Sequence, residues 1–434
     1  MAVTGAVPEQ VEGASAAEPV EIGNRFGLSR VQTAALAAVC LAAVGVRLAF
    51  AWRYLPQLES DFYWYRIAGL AAAQHGLTSL FSANPPVPTW VLSLWPPGYP
   101  FFLGLLYSLH RGIWVAPIAQ AMLGGLSCLA LFSAARRWGG RSAAGGRSAA
   151  GGRSAAGGDS APSANPWLAA GIMAFYPQAI VYSAIHGSET LALFLMSLAI
   201  LASVTPLRDG QAFVYGASLG LATLTRCHTM LLIPGIVTSL WRRAHALVIV
   251  LACFVLVILP WSISRSLIYH RPVFMTTFFG HLLYMGNYVG NNGGGYYEAP
   301  RPIEIPGNVT APEEDVYFAA AGIREIMLHP FHYLLVSTRR MVMWTGIERD
   351  EWVERYSPRW FAGLSLLAQL ALFLAAAIAT AQVWRDPRAR FVLQPAISLL
   401  LFTALSYHMP RYTLASLPYF AVIASRLRTD WTSE

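Results

Sequence analysis

The sequence predicts an all-α polytopic membrane protein with a bundle of about ten transmembrane helices, and three observations carry that expectation. Of 434 residues, 56% are hydrophobic and 12% charged, with a mean hydropathy of +0.47, whereas a soluble globular domain carries about 25% charged residues. The apolar residues gather in runs close to the roughly 20 that cross a bilayer core as a helix, not in periodic core faces. Arginine-bearing connections alternate with poorly basic or acidic ones, the asymmetry that orients spans. The net charge of +8 and pI near 9.4 therefore read as topology determinants, and no nucleic-acid partner is expected. All 30 basic residues are arginine. Length alone permits about three domains, but the apolar runs join the chain into one membrane body.

The elements follow in order. Residues 1–30 contain Glu9, Glu12, Glu18 and Glu21 and no cationic leader, so the run at 31–51 reads as an uncleaved anchor behind a disordered cytoplasmic N-terminus. Further runs lie at 113–135, 167–185, 189–205, 244–262, 360–384 and 389–407, with shorter ones at 212–226, 228–241 and 412–425. Placing Arg25/Arg30, Arg136/Arg137/Arg141, Arg208, Arg242/Arg243, Arg385/Arg388/Arg390 and Arg426/Arg428 inside gives ten spans with both termini cytoplasmic. The apolar stretch from Trp95 to Arg111 opens with Pro96-Pro97-Gly98; counting it as a span would invert every later loop, so it is expected at the outer interface or re-entrant. Residues 139–158 repeat Gly-Gly-Arg-Ser-Ala-Ala three times and read, within 139–165, as a flexible cytoplasmic linker. No strand precedes these glycines and no lysine follows, so they are not a phosphate loop. Cys40, Cys128, Cys227 and Cys253 are spaced for neither a disulfide frame nor a zinc site.

The chemistry is expected in two outer segments, 52–112 and 263–359, which hold most of the acidic residues. Glu59-Ser60-Asp61-Phe62-Tyr63-Trp64 follows the first span; its carboxylates suit a general base, and equally a solvated loop with interfacial aromatics. Glu189, after His186-Gly187-Ser188, is either a helix cap or a functional acid, since a carboxylate at membrane depth is costly. Thr225-Arg226-Cys227-His228 joins two short runs, where a guanidinium at depth suits a lipid-linked phosphate if it does not snorkel. Arg265, with Asn287 and Asn291 in a glycine-rich loop, reads as a donor-binding lid or as turns. Arg411, in His408-Met409-Pro410-Arg411-Tyr412, is an outward arginine suited to an anion or to an interfacial role.

The order of these motifs resembles the integral-membrane GT-C glycosyltransferases, in particular the branch of protein O-mannosyltransferases and lipid A aminoarabinose transferases. The resemblance rests on Asp61, Trp95-Pro96-Pro97-Gly98-Tyr99-Pro100, Ser188-Glu189, Leu224-Thr225-Arg226, Pro260-Trp261 with Arg265, Gly286-Asn287 and Pro410-Arg411-Tyr412, and covers roughly residues 45–295 and the last two spans. Glu59-Ser60-Asp61 departs from the family's adjacent acidic pair, the arginine repeat looks inserted, and no large C-terminal outer domain is expected.

The resemblance implies inverting transfer of a sugar from a polyprenyl-phosphate donor to an acceptor outside the cytoplasm, at a bacterial inner membrane. It implies Asp61, Glu59 and Glu189 as catalytic carboxylates, and Arg226, His228, Arg265, Tyr99, Asn287, Asn291 and Arg411 as donor-binding residues. No protein cofactor is expected; a divalent metal need not take part, and no metal cage is evident. Membrane lipids and the lipid-linked donor are the expected partners, the acceptor being protein, lipid or glycan. A transporter or polymer-export subunit is the alternative, disfavoured by charges gathered on one outer face and by the long loop 263–359. In intact cells, a membrane-impermeant thiol reagent should label a cysteine placed beside Glu189 and spare one beside Arg147; the reverse pattern overturns this orientation.

Overall fold

In a computed structural model of the chain, the structure describes residues 28–54, 58–144, 164–204, 207–291, 303–347, 350–386 and 388–427. Residues 1–38 and 39–434 form two separately packed units. Of the first, residues 28–38 are described; Ser29 and Gln32 cap the opening of a helix reciprocally, Ser29 N donating to Gln32 Oε1 at 3.1 Å and Gln32 N to Ser29 Oγ at 3.2 Å.

Among the described residues every regular element is helical. Helices α1 (Arg30–Arg53), α2 (Ser60–His75), α3 (Thr89–Leu94), α4 (Gly98–Leu109) and α5 (Val115–Ala144) come first. They are followed by α6 (Pro166–Phe175), α7 (Pro177–Ala184), α8 (Glu189–Ser203), α9 (Asp209–Thr225), α10 (Ile233–Leu240) and α11 (Ala244–Tyr269). The remainder are α12 (Phe279–Asn287), α13 (Ala311–Leu328), α14 (Pro330–Val342), α15 (Glu351–Tyr356), α16 (Arg359–Val383), α17 (Arg390–Ser406) and α18 (Leu417–Ala424). Short 3₁₀ turns precede α10 (Cys227–Leu232) and α18 (Pro410–Ser416). By length and composition α1, α5, α11 and α16 can cross a membrane, while α4, α6, α8 and α17 have 10 to 17 residues. The stretch beginning at Trp95 forms the 12-residue α4, about 18 Å long at 1.5 Å per residue, short of the roughly 30 Å hydrocarbon core.

Three elements differ in detail from the sequence reading. The run at 167–185 is two helices: Tyr176 is extended (φ −66°, ψ 116°) before Pro177, which opens α7 because the residue before a proline is pushed out of the helical region. Helix α11 runs on to Tyr269 and stops at His270 in the left-handed region (φ 51°), so Arg265 lies on a helix and not in a loop. Helix α5 continues to Ala144, into the glycine-rich repeat, whose residues 145–163 lie outside the described ones.

Helices at membrane depth must satisfy their own broken ends. Where α6 stops, the carbonyls of Met173 and Ala174 accept from Arg47 of α1 at 2.7 and 2.8 Å, and Arg47 is 1% exposed. The core helices pack closely through small residues: a Cβ on Gly216 of α9 would fall 2.2 Å from the Val250 carbonyl oxygen of α11, and one on Gly220, a turn further, 2.8 Å from Val257 Cβ. Replacing Arg47 with methionine keeps the volume and strands these carbonyls, at about 1–3 kcal/mol per buried orphan. The variant should lose several degrees of thermal stability in detergent, with Arg47→Lys intermediate.

Candidate active site

One cavity of about 780 Å³ opens between α2, the α9–α10 break, α12, α15 and the segment after α17. Its lining combines apolar side chains, among them Leu94, Leu231, Met275, Phe278, Phe279 and Leu282, with the polar Asp61, Arg226, His228, Glu351, Arg411 and Tyr412.

Arg226 reaches the cavity because α9 ends there. Its backbone is extended (φ −144°, ψ 106°) between α9 and the 3₁₀ turn, and its guanidinium donates to Ser188 Oγ at 3.1 Å and pairs with Glu189, which is 3% exposed. Glu189 is the first residue of α8, where the helix dipole also favours its charge. The His228 ring stacks on Tyr412 (centroids 4.7 Å apart, planes at 20°), and Arg226 lies over the same ring. Arg411 follows Pro410 in the turn before α18 and donates through Nη1 to Asp61 Oδ2 at 2.9 Å. Its Nε is buried with no hydrogen-bond partner. Asp61 also accepts from Ser60, whose φ of 49° is a left-handed conformation that a residue with a side chain adopts at a cost.

Of the motif Trp95-Pro96-Pro97-Gly98-Tyr99-Pro100, Trp95 and Pro96 line the cavity and Gly98 and Tyr99 work from behind it. Gly98 packs on the end of α9: a Cβ there would lie 2.6 Å from the Leu224 carbonyl oxygen and 2.8 Å from Thr225 N, one residue before Arg226. Tyr99 is fully buried and does not line the cavity. Its hydroxyl donates to Gln120 Oε1 at 2.9 Å, and Gln120 Nε2 donates to the Ser183 and Ile185 carbonyls at 3.0 and 2.7 Å. That chain of bonds fixes the end of α7, from which the Ser188-Glu189 turn departs.

The two carboxylates of the first segment separate. Glu59 lies outside the cavity, its Oε2 accepting from Arg355 at 2.8 Å and its Oε1 from the Tyr356 hydroxyl. These hydrogen bonds, the Tyr356 one foremost, hold the Glu59 carboxyl below the ordinary glutamate range, so it stays ionised through weakly acidic pH. Glu59 thus clasps α15 to the start of α2, beside an edge-on Phe62–Trp352 contact at 4.8 Å. Asp350 holds the other side of α15: it caps the helix through Trp352 N and Val353 N and accepts from Gln178 at 2.7 Å and Tyr182 at 3.0 Å. Burial raises the Asp350 carboxyl above its ordinary value, against these bonds.

Like Tyr99, three further expected donor-binding residues are not brought to the cavity. Arg265 donates to the Leu80 carbonyl at 2.9 Å with its guanidinium over Trp261. Asn287 donates to the Leu283 and Ser406 carbonyls at 2.7 and 3.1 Å and accepts from Arg340, while Asn291 donates to the Met285 carbonyl. Conversely Tyr65, Ser188, Tyr412 and Glu351 line the cavity without having been singled out as site residues. For Glu351 a signal exists: Asp350-Glu351-Trp352 repeats the acid-then-aromatic grammar of Asp61-Phe62-Tyr63-Trp64. Among the described residues no three His, Cys, Asp or Glu side chains gather as a metal site would require.

No family model matches the sequence, and no curated protein matches it. Among solved structures, ArnT from Cupriavidus metallidurans bound to undecaprenyl phosphate aligns with a TM-score of 0.52 and 18% identity over 92% of this chain and 60% of that one. The apo form of the same protein aligns with a TM-score of 0.53 and 17% identity over 91% and 59%. The chain has a GT-C-like fold. It spans about 60% of the length of the ArnT chains it matches. Its apolar helices and this fold are those of an integral membrane protein.

Gly98→Ala should push α4 from the end of α9, destabilising the protein by about 1–3 kcal/mol in thermal unfolding.

Proposed function

We propose that this protein is an inverting glycosyltransferase that moves a sugar from a polyprenyl-phosphate donor to an acceptor hydroxyl on the extracytoplasmic side of a bacterial inner membrane. The observation that carries this reading is the convergence of Arg226, Arg411 and Asp61 in a cavity that also has an apolar wall. The fold shared with ArnT, whose crystal structure holds undecaprenyl phosphate, supports it.

The chemistry follows from the charges. The acceptor oxygen attacks the anomeric carbon, the bond from that carbon to the phosphate oxygen breaks, and the acceptor's proton passes to the Asp61 carboxylate as general base. Charge grows on the departing polyprenyl phosphate, where the guanidiniums of Arg226 and Arg411 supply forked, charge-assisted donors in a poorly hydrated cavity. Glu189 holds Arg226 in place and keeps the site near neutrality before the donor arrives. His228, pinned on Tyr412, lines the phosphate end. The prenyl chain lies along the Leu94, Phe278, Phe279 and Leu282 wall.

Release of polyprenyl phosphate from glycosyl-undecaprenyl phosphates, together with direct undecaprenyl phosphate binding, tests the assignment. Asp61→Asn should slow transfer by about 100- to 10,000-fold with lipid binding intact. Arg226→Ala should lose binding and turnover together, and Arg226→Lys should recover only part because a point charge lacks the fork. A dead Glu59→Gln beside an active Asp61→Asn would exchange the two roles. Full turnover in both Asp61→Asn and Arg226→Ala would remove the transferase reading.

A further inference from the structure

Helices α13 and α14, joined through His329, lie in the chain between two helices able to span a membrane, α11 and α16. Neither is built to cross by itself. Helix α13 holds five charged residues, Glu313, Glu314, Asp315, Arg324 and Glu325. The 13 residues of α14 reach only about 20 Å at 1.5 Å per residue, against a hydrocarbon core of roughly 30 Å. One side of the pair is packed. A Cβ on Gly322 of α13 would lie 2.9 Å from Tyr284 N of α12, and one on Gly280 of α12 would lie 2.7 Å from Ala319 N of α13. Val336 and Ser337 of α14 are buried, and Arg340 donates to the Ala404 carbonyl at 3.1 Å and to Asn287 Oδ1 at 3.2 Å.

The other side is apolar and uncovered. Val316, Ile323 and Met327 recur at helical spacing along α13, as do Phe331, Leu334 and Leu335 along α14; Met327 is 75%, Phe331 87% and Leu335 68% exposed. Large apolar side chains left uncovered together mark an interaction surface, and on helices too polar or too short to span they give the pattern of a helix lying in the bilayer interface. Charge sorts the same way. The carboxylates of α13 are drawn to the packed side: Glu313 pairs with Arg271 at 2.7 Å, Glu314 and Asp315 flank His281 at 3.6 and 3.2 Å, and Glu325 accepts from Val289 N at 3.0 Å. Arg324, three residues before Met327, and Arg339, four after Leu335, stay exposed. Cations beside hydrocarbon complement lipid phosphates above acyl chains, whereas a symmetric contact with a second copy would bring these like charges to one interface.

We propose that α13 and α14 dock side-on in the headgroup layer of the bilayer, with Met327, Phe331 and Leu335 at the acyl boundary and Arg324 and Arg339 on lipid phosphates. Phe279 and Leu282 of α12, on either side of the Gly280 that packs on α13, line the cavity, so the docked pair backs part of its apolar lining. Nothing in this anchoring depends on the transfer reaction.

The test uses the full-length protein, one copy per nanodisc of phosphatidylcholine and phosphatidylglycerol. A bimane label is placed on Met327→Cys, on Phe331→Cys or, as a mid-bilayer reference, on Leu374→Cys of α16, an exposed position of a spanning helix; label taken up by the wild type is the blank. Lipids carry a quenching spin label near the headgroup or near the chain end. The shallow label should quench more than the deep one at Met327→Cys and Phe331→Cys, and less than the deep one at Leu374→Cys. Arg324→Gln/Arg339→Gln, which alters only exposed side chains, should lower the docked fraction, read at Phe331→Cys as a fall in shallow quenching and a rise in quenching by aqueous iodide. Labels on α13 and α14 that iodide quenches and neither lipid does would put the pair in water and overturn the proposal. So would deep quenching that dominates at both sites, which marks a span, and lipid quenching that disappears when two copies share a nanodisc, which marks a self-interface. Shallow quenching unchanged in the double arginine variant overturns the contact with lipid phosphates.

Discussion

A bilayer core offers no water to a broken helix, so each interruption must find its hydrogen bonds within the protein. This chain meets that demand with buried arginines. Arg47 serves the carbonyls at the end of α6, Arg265 the Leu80 carbonyl, and Arg340 the Gly286 and Ala404 carbonyls with Asn287. Among the described residues none of the three pairs with a carboxylate; each spreads its charge over carbonyl dipoles. The side chain suits the task because one rigid fork reaches several acceptors at once.

Arg226 and Arg411 stand at breaks as well, after α9 and before α18, but they meet carboxylates and face the cavity. A buried ion pair is weak evidence for stability, since desolvation offsets much of the attraction. Two such pairs opening onto one cavity have a different consequence. They hold guanidiniums charged and oriented where water is scarce, near an overall balance that an arriving anion can shift. The same geometric need, a donor at a helix break, has thus been met by carbonyl caps in three places and turned toward the cavity in two.

The cavity wall is assembled from chain segments far apart in sequence. Gln178 of α7 donates both to Asp350 and, at 3.5 Å, to the Pro410 carbonyl, so one amide ties the approach to α15 and the approach to Arg411 to the same helix. Glu59 adds a clasp across 296 residues, and the Arg411–Asp61 pair one across 350. Polar groups that do no chemistry themselves therefore decide which acids and bases look inward.

The sequence by itself determined the helices and their punctuation, because apolar runs, prolines and glycines act over a few residues. The break at Arg226, between two short apolar runs, follows from such local rules, whereas the run at 167–185 hides the break at Tyr176-Pro177. It also supplied the order of motifs from which a GT-C-like fold could be expected. Only the tertiary structure decided which polar residues share the cavity. Glu59 and Asp61 stand two positions apart, and one clasps α15 while the other meets Arg411; Arg265 and Asn287 turn to carbonyls; Glu351 arrives from a distant segment. A side chain's role there depends on which partner lies within about 3 Å, and that distance is set by packing between helices hundreds of residues apart, on which a local pattern carries no information.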